Sequence, residues 1–184
     1  LAKILGDVRT AENNPELSTQ DIVDVLIRWI DEDRKATPLK TLQGMIWEAG
    51  YKAGDFQGHI YDDALETLQN WSDAGIKLYI YSSGSIPAQK LLFSHTPKGD
   101  LTPLFSGYFD TTTGPKFAVE SYKKIAHEIG WPAENILFLS DNSSETDAAS
   151  VAGMQVVLID RDGQNLSRKT VQNFHDIILQ EKAA

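Results

Sequence analysis

The pattern of apolar positions changes part-way along the chain and divides it into two regions. In the first region the apolar residues recur every three or four positions, which predicts helices. Ser18 offers a hydroxyl that can cap one of these helices, Thr37-Pro38 opens another, and Gly50 is expected to end it. We therefore predict a helical lobe over residues 1–57 and a separate core over residues 58–184.

In the second region, short continuous apolar runs alternate with segments of helical periodicity. Such runs are typical of strands that are buried on both faces of a parallel sheet. The predicted strands are 78–81, 107–110, 136–139 and 156–159, and the predicted helices are 61–74, 86–94, 116–129, 143–152 and 167–181. Strands that alternate with helices imply right-handed crossovers. We therefore predict an α/β fold with a doubly wound parallel sheet.

Composition and charge narrow the range of functions. The chain is 41% hydrophobic and 23% charged, as in ordinary globular proteins. Its formal net charge is −9 and no basic stripe stands out, so we expect no nucleic-acid partner. No apolar run approaches the ~20 residues that span a bilayer, so we expect no membrane partner either. Cysteine is absent, which excludes thiolate chemistry and fits a reducing compartment. We expect a cytoplasmic monomer.

Polar residues follow three successive predicted strands. Ser82 and Ser83 follow the first, Lys116 follows the second, and Asp141 and Glu145 follow the third. Taken singly, these residues can be explained as helix caps, a solvated lysine and compensation of a helix dipole. Ligands of parallel sheets, however, bind at the carboxyl ends of the strands. Hydroxyls and a lysine suit a phosphate group, and carboxylates suit Mg²⁺, so the joint pattern favours a phosphate and magnesium site.

Longer segments of the chain resemble a known family. The order of serine, lysine and aspartate at successive strand ends matches the second, third and fourth motifs of the haloacid dehalogenase superfamily. The resemblance goes further and points to the enolase-phosphatase (acireductone synthase) family of methionine salvage, over roughly residues 20–160. The segments that carry it are 31–35, 42–44, 79–85, 88–93, 108–111 and 136–141.

This resemblance implies a reaction and a role for each candidate residue. The family converts the small phosphorylated metabolite 2,3-diketo-5-methylthiopentyl-1-phosphate into an acireductone and uses Mg²⁺. By motif position, Ser82 and Ser83 would bind oxygens of the substrate. Lys116 and Asp141 would be catalytic, since Lys116 would clamp the phosphate and Asp141 would bind Mg²⁺. Glu145 would be a second acid at the metal.

One motif of the family is not found in this chain. The resemblance places an Asp-x-Glu-Gly-Thr motif, which carries the nucleophile, on a strand between the predicted strands 78–81 and 136–139. We expect this first core strand to be missing from the chain, and we expect the 184 residues alone to show no phosphatase activity. Asp160 and Asp162 could replace the nucleophile only in a circular permutation. We interpret them as the exit loop of the last core strand.

The resemblance also gives the helical lobe over residues 1–57 a role, that of a cap closing over the substrate. Two other functions remain open. The chain could be a different haloacid dehalogenase-type phosphatase that acts on a small sugar or acid phosphate, which a substrate panel would reveal. It could also be a catalytically inactive remnant that binds an anion or a partner through the same strand ends. A mass of 20.4 kDa for the intact protein would favour this alternative.

Overall fold

The computed structural model describes residues 1–34, 36–164 and 167–179. The chain divides into two compact units, Leu1–Gln57 and Gly58–Ala184. Each unit has its own hydrophobic core. The role of the first unit as a cap stays a prediction.

The first unit is built from helices α1 (Ala2–Ala11), α2 (Thr19–Asp31) and α3 (Thr37–Ala53). Ser18 caps α2 as predicted, because its hydroxyl accepts a hydrogen bond from the Asp21 N–H at 3.2 Å and the Asp21 carboxylate accepts one from the Ser18 N–H at 2.9 Å. The apolar faces of the three helices enclose one core. Its buried residues are Val8, Ile22, Leu26, Trp29 and Leu39.

The end of α3 differs from the prediction. Gly50 lies inside the helix, which continues to Ala53 and ends with Gly54 in the left-handed conformation at φ 81°. A Cβ atom at position 50 would lie 2.3 Å from Cε2 of Phe56, so this glycine gives the Phe56 ring room to pack against the helix. The expected stop at Gly50 is therefore wrong, because close packing rather than chain termination requires the glycine.

The second unit alternates helices with strands, and the strand pairs among its described residues are parallel. Its elements are α4 (Asp62–Asp73), β1 (Leu78–Tyr81), α5 (Ile86–Ser94), β2 (Phe105–Phe109), α6 (Val119–Ile129), β3 (Leu137–Ser140), α7 (Ser143–Val151), β4 (Gln155–Ile159) and β5 (Thr170–Val171). Strand β1 pairs with β2, and β4 lies between β3 and β5. The α/β fold class is thereby confirmed. Among the described residues no ladder joins β1 to β3. From the resemblance, a further strand is expected at this position.

Helices cover both faces of the β1–β2 sheet. Successive residues of a strand point to opposite faces. Leu78 and Ile80 therefore share one cluster with Leu65 of α4, whereas Tyr79 and Tyr81 pack against the core formed by α6 and α7. This arrangement is the doubly wound packing that the continuous apolar runs predict.

The predicted helix over residues 167–181 is wrong within the described part of the chain. Thr170–Val171 pairs with the end of β4 as a strand, so β4 is not the last strand. The following Phe174–Asp176 is a single 3₁₀ turn, capped where the Asn173 side chain accepts a hydrogen bond from the Asp176 N–H at 3.1 Å. The hydrogen bonds that Thr170–Val171 forms with the open edge of β4 favour a strand more strongly than the weak helical periodicity of this segment favours a helix. Residues 180–181 of that prediction lie outside the described residues.

Candidate active site

Lys116 lies in the loop between β2 and α6. The apolar pattern predicted a helix from residue 116 on, with Lys116 in its first turn, but α6 begins only at Val119. The Lys116 Nζ atom lies 2.6 Å from Oε2 of Glu145 and 5.8 Å from the centroid of the Tyr81 ring. The two charged side chains are only 23% and 13% exposed. Because they are partly withdrawn from water, their charges interact more strongly than those of a surface pair.

Glu145 is held from two sides. It lies in the first turn of α7, and its Oε2 atom also accepts a hydrogen bond from the Ser140 hydroxyl at 2.8 Å. The Ser140 oxygen in turn accepts one from the Asn142 N–H at 3.1 Å. The ion pair between Glu145 and Lys116 was missed by sequence reasoning, which took Glu145 only as an acid at the metal. A direct bond from Glu145 to a metal stays a prediction.

Ser82 opens the loop that follows β1. Its N–H donates to the carbonyl oxygen of Phe109 at 3.1 Å, and its Oγ accepts a hydrogen bond from the Gly84 N–H at 3.1 Å. The hydroxyl proton of Ser82 has no acceptor among the described residues, so it is available to a ligand. Ser83 is exposed at the tip of the same loop.

Two buried polar side chains support this loop from below, and neither was singled out from the sequence. Gln89 is 5% exposed, and its Nε2 donates to the carbonyl oxygen of Gly84 at 2.8 Å. Asp110 is 8% exposed and accepts hydrogen bonds from the N–H groups of Ile86 at 3.2 Å and Thr112 at 2.9 Å. The hydrogen bond from the Thr112 hydroxyl lowers the pKa of Asp110 in spite of its burial. A carboxylate directly after an apolar run is the sequence signal that could have found Asp110.

Asp141 is exposed at the carboxyl end of β3 and pairs with no described side chain. Within the described residues no group of three or more His, Cys, Asp or Glu side chains could hold a metal ion. Mg²⁺, however, keeps several waters and often takes only one or two carboxylates together with the phosphate of the substrate. Asp141 fits that kind of site, whereas Oε2 of Glu145 already binds Lys116.

The contacts of Lys116 link the loops that follow the first three strands of the second unit. The Tyr81 hydroxyl, one residue before Ser82, donates to the carbonyl oxygen of Gly114 at 2.9 Å. The Lys116 ammonium then meets Glu145, which is bonded to Ser140 at the end of β3. The structure thus brings Lys116 and Glu145 into contact. Ser82 follows Tyr81 directly in the chain and Asp141 follows Ser140, and both of these preceding residues take part in the contacts. Ser83 is one residue further along the loop.

Comparison with known proteins identifies the family. A family model described as haloacid dehalogenase-like hydrolase matches residues 5–153. Enolase-phosphatase E1 of Pseudomonas fluorescens is 53% identical over 178 residues, which cover 96% of this chain and 78% of that protein. Enolase-phosphatase E1 of Methylococcus capsulatus is 52% identical over 160 residues, which cover 87% of this chain and 70% of that protein. The chain therefore belongs to the haloacid dehalogenase-like hydrolases and, within them, to the enolase-phosphatase family.

Solved structures agree with this assignment. The crystal structure of the UTR4 protein from Saccharomyces cerevisiae matches with a TM-score of 0.80 and 31% identity, over 95% of this chain and 81% of that one. A haloacid dehalogenase phosphatase from Thermococcus onnurineus shares the fold with a TM-score of 0.62 at 16% identity, over 94% of this chain and 84% of that one. The chain is thus a hydrolase of the phosphatase type, a class that generally uses a divalent metal ion. No helix in the described part of the chain is both long and apolar enough to cross a membrane.

Proposed function

We propose that this protein is an Mg²⁺-dependent enolase-phosphatase that converts 2,3-diketo-5-methylthiopentyl-1-phosphate into an acireductone in methionine salvage. The observation that carries the proposal is the partly buried pair of Lys116 and Glu145, which lies where the loops after β1, β2 and β3 meet. Relatives about half identical in sequence bear the name enolase-phosphatase, which supports the same activity.

In this proposal the phosphate of the substrate binds to Lys116. An ammonium group has three N–H donors, and the contact with Glu145 occupies one of them, so phosphate oxygens can accept from the others. Glu145 directs the ammonium, and the free hydroxyl proton of Ser82 donates to a further oxygen of the substrate. Ser83 adds a second hydroxyl from the same loop. A fixed cation at this position stabilises the negative charge that develops on the phosphoryl oxygens in the transition state.

Asp141 would hold Mg²⁺ together with the phosphate oxygens and water, with Glu145 as a second acid beside it. The bound metal would neutralise phosphate charge and polarise the diketo group for enolisation. Asp141 is exposed and pairs with no described side chain, so its carboxylate is accessible to the ion. Glu145 has one oxygen on Lys116, and we assign its other oxygen to the metal or to a water bound to it.

We further propose that the helical unit over residues 1–57 is the cap of the enzyme. Its three described helices form a compact unit with its own core, so it can move as one body. The net charge of −9 and the absence of cysteine fit a cytoplasmic protein that binds a small metabolite and no nucleic acid. We propose a monomer.

The experiment measures release of inorganic phosphate from the diketo phosphate and from a panel of sugar phosphates, using the protein at its natural length with Mg²⁺. We expect turnover of the diketo phosphate, and Lys116→Ala should lower it by about 10²–10³-fold. Lys123→Ala is the matched control, because Lys123 pairs with Glu120 at 2.7 Å on an exposed face of α6. Its turnover should equal that of the wild type.

Each other outcome decides between the alternatives. Turnover of sugar phosphates without turnover of the diketo phosphate would favour a different phosphatase of the same superfamily. Binding of the diketo phosphate without turnover of any compound would favour a protein that only binds anions. An unchanged rate in Lys116→Ala would remove Lys116 from the site.

A further inference from the structure

The loop that carries Lys116 is held by three side-chain hydroxyls. The successive carbonyl oxygens of the segment 114–116 each accept a side-chain hydrogen bond, and each of these comes from a different side chain. The donors are Tyr81 at 2.9 Å, Ser121 at 2.8 Å and Tyr122 at 2.5 Å. The last of these bonds ends on the carbonyl oxygen of Lys116 itself. The segment lies between β2 and α6, outside any ladder or helix. The Pro115 carbonyl oxygen also accepts a turn hydrogen bond from the Ala118 N–H at 3.0 Å, whereas no backbone N–H of the described residues donates to the carbonyl oxygens of Gly114 and Lys116.

The donors are well packed, and the two tyrosines stay protonated. Tyr122 is 0% exposed and Ser121 is 2% exposed. The Tyr122 ring contacts the rings of Tyr81 in β1 and Phe138 in β3 edge-on, with centroids 5.7 and 4.9 Å away. Burial raises the pKa of Tyr122 and of Tyr81, so both hydroxyls remain donors throughout the physiological range. Tyr122 therefore fixes the loop relative to both β1 and β3.

Gly114 is shaped to this arrangement. Its φ of 151° is one that residues with a side chain rarely adopt, and a Cβ atom there would lie 2.2 Å from the Ser121 Oγ atom. The hydroxyl of Ser121 thus occupies the space that a larger residue at position 114 would need. The segment 114–116 and its three hydroxyl donors are therefore closely packed against one another.

We propose that Tyr122, together with Tyr81, is a positioning residue that sets how far the Lys116 ammonium reaches toward a phosphate oxygen. The proposal rests on the proposed role of Lys116 in binding phosphate. A lysine side chain has four rotatable bonds, so the place of its ammonium depends on where the backbone is anchored as well as on the partner at its far end. The hydroxyls fix the backbone end, and Glu145 receives the ammonium at 2.6 Å.

A purely structural role for these hydroxyls predicts a different result from a positioning role. If Tyr122 only stabilises the fold, Tyr122→Phe lowers the free energy of unfolding and leaves phosphate binding by the folded protein unchanged. If Tyr122 acts through Lys116, the same change also weakens phosphate binding, and this second effect disappears when Lys116 is already absent.

The experiment is a double-mutant cycle with inorganic phosphate as the probe, followed by ¹H–¹⁵N NMR on the full chain. The variants are Tyr122→Phe, Lys116→Ala and the double variant, each also unfolded in urea. Tyr108→Phe is the matched control, because the Tyr108 hydroxyl is buried and has no hydrogen-bond partner among the described residues. Tyr81→Phe provides a second test of the same loop should Tyr122→Phe fail to fold.

We expect Tyr122→Phe or Tyr81→Phe to weaken phosphate binding about fivefold, as the loss of one hydrogen bond does, and Tyr108→Phe to leave it unchanged. In the Lys116→Ala background the tyrosine change should alter the affinity less than twofold, while its effect on stability persists. Equal weakening with and without Lys116, or no weakening by either tyrosine variant, would overturn the positioning proposal alone. Unchanged phosphate affinity in Lys116→Ala would instead refute the proposed function on which it rests.

Discussion

The ion pair between Asp63 and Arg161 provides a stability prediction with a control in the same unit. Arg161 lies in the loop after β4, and its two Nη atoms each lie 3.1 Å from one oxygen of Asp63 in the first turn of α4. The Phe174 N–H also donates to Asp63 at 2.8 Å, and the Arg161 guanidinium lies 3.7 Å from the centroid of the Tyr61 ring. Asp63→Asn removes the charge and one acceptor from this cluster.

The size of the effect follows from exposure. Breaking a fully buried ion pair costs about 3–5 kcal/mol, and exposed pairs contribute about 0.2–1 kcal/mol. The side chains of Asp63 and Arg161 are 17% and 25% exposed, so the pair lies between these limits. We expect Asp63→Asn to lower the free energy of unfolding of the second unit by about 2 kcal/mol. Burial acts against ionisation, but the hydrogen bonds from Phe174 and Arg161 still lower the pKa of Asp63, so the carboxylate is the stabilising form.

Asp147→Asn is the matched control. Asp147 forms a pair of the same bidentate geometry with Arg168, at 2.5 and 3.0 Å, but its side chain is 57% exposed and that of Arg168 is 44% exposed. Because both groups are solvated, we expect a much smaller loss of stability than in Asp63→Asn.

Urea unfolding followed by far-UV circular dichroism measures both variants, with hydrogen exchange of α4 as a local check. With a slope of about 2 kcal/mol per molar urea, the midpoint should fall by about 1 M in Asp63→Asn and by clearly less in Asp147→Asn. Equal shifts in the two variants would refute the reasoning from exposure. Unchanged exchange of α4 in Asp63→Asn would show that the pair does not hold this helix.

Three further predictions concern the metal, a close backbone contact and the first unit. Asp141→Asn should weaken Mg²⁺ binding in the presence of phosphate at least about tenfold by calorimetry, since one anionic ligand is lost, and unchanged binding would contradict the assignment. Gly58→Ala should destabilise the second unit by about 1–3 kcal/mol in urea, because its Cβ would lie 2.0 Å from the Leu92 carbonyl oxygen, and wild-type stability would be the contrary result. The hydrogen bond from Arg28 lowers the pKa of Glu12 in the folded protein below its ordinary 4.5. The ionised Glu12 therefore stabilises the folded state above pH 4.5, and this stabilisation is lost as the pH falls through the lower pKa of the folded protein. In thermal unfolding of the wild type, the melting temperature of the first unit should therefore fall in acid. The Glu12→Gln variant should not show this acid-dependent decrease.

Strand β1 could be predicted because it is a short apolar run whose side chains pack into a cluster on each face of the sheet. Leu78–Tyr81 forms a strand with the predicted bounds. The same signal is weak for Thr170–Val171, which has only two residues and is a strand because it completes the edge of β4. Its flanking apolar residues also fit helical spacing, so local pattern alone favoured the wrong element.

The sequence predicted which residues form the site, whereas the contacts between them could be found only from the three-dimensional structure. The sequence indicates a lysine after one strand and an acid after the next, but the contact of Lys116 with Glu145 depends on how two loops meet in space. The Tyr81 hydroxyl donates to the carbonyl oxygen of Gly114, 33 residues away in sequence, and no local sequence pattern predicts such a hydrogen bond. Asp110 and Gln89 also have partners distant in sequence, since the Ile86 N–H donates to Asp110 and the Phe109 carbonyl oxygen accepts from Gln89. The position of Asp110 directly after an apolar run was its one local signal.

In the proposed site, the loops after β1, β2 and β3 gather one phosphate and its metal around Ser82, Lys116 and Asp141. A crystal structure of the protein with inorganic phosphate and Mg²⁺ would test this arrangement. We expect one phosphate within hydrogen-bond distance of Lys116 Nζ and Ser82 Oγ, with the metal on Asp141. Polar atoms of these three side chains more than about 12 Å apart, or a phosphate bound at another place, would contradict it.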